Sequence, residues 1–336
     1  MENSGTPWGG INGGQRISRA DLQPSTPSGA GLSHAGGAFD PDLVTIALLG
    51  TGLLGAAIGQ RLLSQGETLL VWNRHPDRLQ PLLEAGASAA GSPAEAIAGA
   101  RQVVGVLSDG AATEAVLIQQ AGPALQGRLV INVATIAPEQ SQALAAAVEE
   151  RGGRFLEAPV LGSRPEALAG TLQVMAGGEP EVFAEALPLL RLLAPEPRLL
   201  GPVGSGLITK LALNQLIASL THAFSLSLHL VQQAGGDLDS FMELLRGSAL
   251  YAPTFDKKLA KLVSGDFANP NFPTAHLRKD LLLFLASARC QDLNTAGLDG
   301  LAGLLLQAAG TPIDSLDYSA LHRLTAASAP VPAGQP

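Results

Sequence analysis

From Val44 onward the chain repeats one unit: a short apolar run, a turn, and a stretch with helical periodicity. VTIALLG leads into a helix to about Gln65, TLLVWN into a helix from His75, QVVGVLS into a helix from about Ala111, and RLVINVA into a helix from Pro138 to about Arg151, with a further strand at RFLEAP. The runs are short for helices and lack the polar alternation of a strand with one wet face. They predict parallel strands joined by helical crossovers and covered on both faces. The expected fold class is α/β, a doubly wound sheet. GTLQVMAGG and PRLLG read as two further strands around a helix from Glu181.

After Gly204 the strand pattern stops. GPVGSGLITKLALNQLIASLTHAFSLSLHLVQQAGG opens an all-helical second domain, and between Lys210 and Asp237 it holds no Asp, Glu, Lys or Arg. Apolar residues fall on every side of that helix, as in one buried within a protein or between subunits. With 336 residues, 46% of them hydrophobic, the chain can fill two cores. The boundaries expected are 43–203 for the sheet domain and 204–325 for the helical one. Residues 1–42, rich in Gly, Ser and Pro, and 326–336 read as flexible tails.

Composition narrows the partners. A formal charge of −8 without any Lys/Arg-rich run argues against nucleic acid and anionic membranes. The single cysteine, Cys290, leaves no internal disulfide framework and fits a reducing compartment. Residues 1–42 lack the apolar core of a secretory signal, and Asn214, Gln215, Ser219, Thr221 and His222 interrupt the long helix against a membrane span. A soluble, cytoplasmic protein is expected.

The first turn carries the most specific motif. GTGLLG, residues 50–55, directly follows an apolar strand and opens a helix, the context in which G-x-G-x-x-G binds a dinucleotide. Gly50 permits the tight turn, Gly52 lets the backbone approach a pyrophosphate, and Gly55 lets the helix pack close to the sheet. Thr51, Leu53 and Leu54 complete the loop, and the helix N-terminus offers amides and a positive dipole. The second strand ends in Asn73 and Arg74 with no acidic residue to hold the ribose hydroxyls of NAD. Arg74, twenty-four residues past Gly50, is placed to pair with a 2′-phosphate, which favours NADP over NAD.

Four separated blocks, LLGTGLLGAAIG, EAPVLGSRPEALAGTLQVMAGG, GSGLITKLALNQ and LRKD, resemble the β-hydroxyacid dehydrogenase family over about Val44 to Thr325. That family includes 3-hydroxyisobutyrate dehydrogenase and the glyoxylate/succinic semialdehyde reductases. The resemblance implies that Lys210 is the catalytic proton donor and acceptor and that Asn214, one turn on, helps to hold the substrate. It implies that Lys279, followed by Asp280, lies at the nicotinamide and substrate end of the cleft. Cofactor contacts are implied at Leu107, Ser108 and Asp109 after the fourth strand and at Thr135 after the fifth. The family usually reads Pro-Val-Ser-Gly where this chain has Pro159-Val160-Leu161-Gly162-Ser163. The substrate carboxylate is then expected on the amides of Gly162 and Ser163, with Leu161 standing where the family has a hydroxyl. Ala134 likewise replaces the usual serine before Thr135.

The chemistry implied is hydride transfer between NADPH and a small semialdehyde or 2-oxo acid, with the Lys210 ammonium protonating the developing alkoxide. A buried helix, with Lys279 nearby, lowers a lysine's pKa toward the working range. Asn214 is expected to donate to the substrate oxygen or to fix the lysine rotamer. Two other readings compete: imine reduction, whose enzymes generally lack the lysine, and a noncatalytic NADP-binding scaffold. No metal site is expected, since His222 and His229 have no third ligand nearby. His276 reads as structural, Trp72 as a packing residue, and Glu95, Glu149 and Glu166 as solvated. The length of the apolar helix predicts a homodimer or homotetramer joined through the helical domain.

Overall fold

The computed structural model describes residues 45–326. The tail read over 1–42 lies outside these residues, as does that read over 326–336 apart from Ala326. In chain order come β1 (Thr45–Leu49), α1 (Leu53–Ser64), β2 (Thr68–Trp72), α2 (Gln80–Glu84), β3 (Ser88–Ala89), α3 (Pro93–Ala98), β4 (Gln102–Gly105), α4 (Gly110–Glu114), β5 (Leu129–Asn132), α5 (Pro138–Glu149) and β6 (Arg154–Glu157). These six strands form one parallel sheet in the order β3-β2-β1-β4-β5-β6. That is the doubly wound order, whose direction reverses between β1 and β4 and opens a crevice at their carboxyl ends.

The apolar runs explain the layers. Successive side chains on a strand point to opposite faces. Ile46 and Leu48 of β1 and Leu129 and Ile131 of β5 therefore enter one core, while Ala47, Leu49 and Val130 enter the other. A second sheet follows from β7 (Val160–Leu161), β8 (Gln173–Ala176) and β9 (Arg198–Leu199), with α6 (Arg164–Ala169) and α7 (Pro180–Leu193) between them. β7 runs antiparallel to β8 and β9 parallel to it, and a Glu157–Gly177 bridge joins this sheet to the end of β6.

Four elements carry too little apolar pattern to be read from the chain. β3 and β7 are two residues long, and Ser88 and Ala89 are exposed. The six-residue helices α3 and α6 have weak periodicity, although Ser92 caps α3 in the expected way by accepting from the Glu95 amide at 3.1 Å, with Pro93 next. The helix expected from His75 starts with a 3₁₀ turn over Pro76–Leu79. The one expected from Ala111 starts at Gly110, with Asp109 as its cap, and continues as a π-helical turn over Ala115–Gln119.

Among the described residues every regular element from Ser205 is helical: α8 (Ser205–Gln233), α9 (Leu238–Arg246), α10 (Pro253–Ser264), α11 (Thr274–Cys290), α12 (Ala296–Gln307) and α13 (Leu321–Thr325), with short 3₁₀ turns before the last. α8 is the axis. Its Ala218 enters one core with Leu277, Leu281 and Leu285 of α11, and its Phe224 and Leu228 enter another with Met242, Phe255 and Phe267. By length and composition α8 would also span a bilayer, but this stripe of it is core. The opposite stripe, Ile208, Ala212, Leu216, Ala223, Leu226 and Leu230, is exposed. At 3.6 residues per turn it occupies one narrow face.

Candidate active site

A cavity of about 490 Å³ lies at the carboxyl ends of β1, β2, β4 and β5 and runs to α8 and α11. The glycine loop forms one end. Gly50 adopts φ +94, and a Cβ there would sit 2.3 Å from the Val106 carbonyl oxygen. A Cβ on Gly55 would sit 2.0 Å from the Gly50 carbonyl oxygen, so α1 seats on the turn only with glycine there. Gly52 differs: it lines the cavity, and a Cβ there would meet no protein atom within 4 Å. The space over Gly52 is therefore open for a ligand, and the first amides of α1 have no acceptor within their own helix. This donor set fits the pyrophosphate of a dinucleotide.

Leu53, Leu54, Asn73, Arg74, Leu107, Ser108, Thr135, Gly162, Ser163, Lys210 and Lys279 all line the same cavity, as do Gly50, Gly52 and Gly55. Thr51 does not. Its hydroxyl donates to the Arg78 carbonyl oxygen at 3.1 Å and accepts from Asn73 Nδ2 at 2.9 Å, so its side chain braces the loop after β2. Asp109 is used as a helix cap, accepting from the Ala112 amide at 2.8 Å and from Ser108 Oγ at 2.7 Å. Leu161 is half-buried outside the cavity wall.

Several lining residues lie outside the expected set. His75 and Arg78 join Arg74 on the loop after β2, giving two guanidinium groups where one was read. Trp72 lines the cavity as well as packing under the sheet. His276 lines it too, one turn before Asp280, and burial with the Lys279 charge nearby holds its imidazole below the usual range.

Lys210 lies in the second turn of α8 with 8% of its surface exposed. Burial drives its ammonium from 10.5 down to about 8; the Asp280 carboxylate opposes that shift and Lys279 adds to it. Asn214, one turn on and 1% exposed, does not line the cavity. Its Nδ2 donates to Asp280 Oδ2 at 2.6 Å and so acts on the carboxylate beside Lys210, while its buried Oδ1 has no hydrogen-bond partner among the described residues. Lys279 Nζ donates to the Thr135 carbonyl oxygen and lies 2.8 Å from Asp280 Oδ1. That contact is an ion pair off the angle of a hydrogen bond. Asp280, itself 2% exposed, is thus clamped between Asn214 and Lys279.

The N-terminus of α8 is seated by another buried carboxylate. Glu157, at the end of β6 and fully buried, accepts through Oε1 from the amides of Gly204 at 2.7 Å, Gly206 at 2.9 Å and Leu207 at 3.3 Å. Its Oε2 accepts from Ser141 Oγ at 2.7 Å. Burial raises its pKa and these hydrogen bonds oppose the rise. α8 has no side-chain cap of its own, and Glu157 replaces one.

Glu166 is likewise no solvated acid. Its Oε2 accepts from both the amide and the hydroxyl of Ser163, each at 2.8 Å, and its Oε1 accepts from Lys257 Nζ at 3.0 Å. Partial burial works against ionisation, but the bonds from Ser163 and Lys257 outweigh it and bring the carboxyl down to about 2.

Residues 45–201 match the family described as the NAD binding domain of 6-phosphogluconate dehydrogenase. Residues 204–325 match that described as NAD-binding of NADP-dependent 3-hydroxyisobutyrate dehydrogenase. Over 244 residues the chain is 34% identical to glyoxylate/succinic semialdehyde reductase 1 of Arabidopsis thaliana, covering 72% of this chain and 84% of that one. It is 28% identical over 256 residues to the cytokine-like nuclear factor N-PAC of Drosophila melanogaster, a match over 75% of this chain that spans only 42% of that longer protein. Among solved structures, the 3-hydroxyisobutyrate dehydrogenase of Mycobacterium tuberculosis with L-serine superposes with a TM-score of 0.75 at 25% identity, over 84% of this chain and 98% of that one. The two matched ranges coincide with the two parts of the fold, and the chain belongs to the β-hydroxyacid dehydrogenase family of NAD(P)-dependent oxidoreductases.

Proposed function

We propose that this protein reduces a small aldehyde or ketone, of the semialdehyde and 2-oxo acid type, with NADPH, and that Lys210 is the proton donor. The observation that carries the reading is the Lys210 ammonium, buried in the same cavity as the open Gly52 face. Bound NADPH supplies the hydride. The chain supplies the rest: Gly52 and the first amides of α1 hold the pyrophosphate, Arg74 and Arg78 pair with the 2′-phosphate, and Lys210 Nζ delivers a proton to the oxygen of the reacting carbonyl. A pKa of about 8 suits that task, because the group is still largely protonated near neutrality yet gives up its proton readily. Asp280, held by Asn214 and Lys279, keeps the ammonium from losing its charge altogether.

Two arginines on the loop after β2 support NADP over NAD. A noncatalytic scaffold gains nothing from desolvating an ammonium inside its cofactor cleft, which favours the enzyme. The exposed apolar stripe of α8, Ile208 to Leu230, supports a homodimer or homotetramer joined through the helical part; a monomer at micromolar concentration in sedimentation would count against it. The main test is oxidation of NADPH and NADH against glyoxylate, succinic semialdehyde, methylmalonate semialdehyde and tartronate semialdehyde. NADPH turnover with at least one of them is expected, and silence across the panel despite tight NADPH binding would refute the proposal.

A further inference from the structure

Of the donors to which the family resemblance assigns the substrate carboxylate, those of Ser163 are already in use, which leaves the Gly162 amide. Ser163 lines the cavity, and both its amide and its hydroxyl donate to one oxygen of Glu166. That carboxylate is not free to leave at no cost, since its other oxygen is held by Lys257 from α10, ninety-one residues along the chain. A substrate carboxylate arriving at Ser163 meets a fixed negative charge within hydrogen-bond distance of the same donors. It must either displace Glu166 or bind beside it with fewer bonds. The neighbouring groups offer little relief, because Leu161 brings no hydroxyl and the Lys279 charge is paired with Asp280. A substrate that carries no charge at that end meets neither obstacle, and its carbonyl oxygen still reaches a cavity that contains Lys210. Discrimination of this kind works by penalising one ligand class and leaves the other untouched.

We propose that Glu166 is a specificity residue, an internal competitor that occupies the Ser163 donors and narrows the enzyme's preference for carboxylate-bearing substrates over carbonyl compounds uncharged at that end. The proposal rests on the reductase reading above. Its test compares succinic semialdehyde with butanal, the same chain length without the carboxylate, using NADPH and full-length wild-type, Glu166→Gln and Glu166→Ala proteins. Glu166→Gln keeps an acceptor for Ser163 and removes only the charge. The expected result is a rise of about tenfold or more in the ratio of kcat/KM for succinic semialdehyde to that for butanal in both variants, carried by KM of the charged substrate. A ratio within about twofold of wild type, in variants that melt and bind NADPH normally, would overturn it. If wild type turns over neither substrate, binding decides this point independently of the reductase reading, which the wider panel tests. Succinate titrated calorimetrically into the NADP-loaded proteins is expected to bind at least about tenfold more tightly to the variants, and equal or absent binding to them would overturn the proposal.

Discussion

Replacing Glu157 with alanine should loosen the helix that carries Lys210. The carboxylate is fully buried and serves three amides at the start of α8, at 2.7, 2.9 and 3.3 Å, together with the Ser141 hydroxyl. Alanine leaves the two short-bonded amides without an acceptor in a dry site, at about 1–3 kcal/mol each. Against that stands the relief of no longer burying a carboxylate, the same burial that raises the Glu157 pKa. A net loss of about 3 kcal/mol follows, or roughly 6–12 °C in Tm at the 2–4 °C per kcal/mol of a protein this size. Glu157→Gln is the control: its carbonyl oxygen keeps the amides and its Nε2 donates to Ser141 Oγ, so the loss should stay below about 1.5 kcal/mol. The sign with pH follows from the raised pKa. The folded state holds the proton more tightly than the unfolded one, so the group favours folding most at low pH, and that contribution is lost as pH rises through the folded pKa. The assay is thermal melting of the three proteins. Glu157→Ala melting within about 2 °C of wild type, or Gln proving as harmful as Ala, would refute the reasoning.

Three further perturbations separate the parts of the site. Gly52→Ala should melt close to wild type, because the added Cβ meets no protein atom, yet lose about tenfold or more in NADPH affinity by isothermal titration; Gly55→Ala, whose Cβ would strike the Gly50 carbonyl oxygen, should unfold at lower temperature. Arg74→Ala and Arg78→Ala should each raise KM for NADPH by about tenfold or more while leaving KM for NADH unchanged in steady-state assays, as expected if each removes the charge-assisted bond proposed to a 2′-phosphate. Asp280→Asn removes the charge that holds the Lys210 pKa up, so the alkaline limb of the reduction rate should move to lower pH, and an unmoved limb would show that the two do not interact.

Much of the sheet was legible because β1, β2, β4 and β5 are buried along most of their length on both faces and so read as apolar runs. The glycine loop was legible because Gly50 and Gly55 answer local demands of the turn while Gly52 leaves the space above it open. What escaped depends on contacts across the fold. Glu157 reads as one more strand residue until α8, forty-seven residues on, brings its amides to it. Glu166 reads as a solvated helix residue until Ser163 and Lys257 close on it, although the Ser-x-x-Glu spacing was a usable signal of the Ser163 contact. Arg78 and His276 carried weaker signals: a second basic residue one turn past Arg74, and a histidine at helical spacing from Asp280. Asn214 was read correctly as sharing a face with Lys210, but its partner, Asp280, lies sixty-six residues away.

The role of Lys210 is tested most directly by the pH dependence of kcat/KM for NADPH-linked reduction, wild type against Lys210→Ala, with NADPH affinity measured on both. With the ammonium at about 8 as the proton donor, the wild-type rate should fall as pH rises through that value. The variant should lose about 10² to 10⁴-fold and show no such limb, while binding NADPH within a few-fold of wild type. A variant that keeps near-wild-type turnover, or the same alkaline limb, would contradict the assignment of Lys210 as the proton donor.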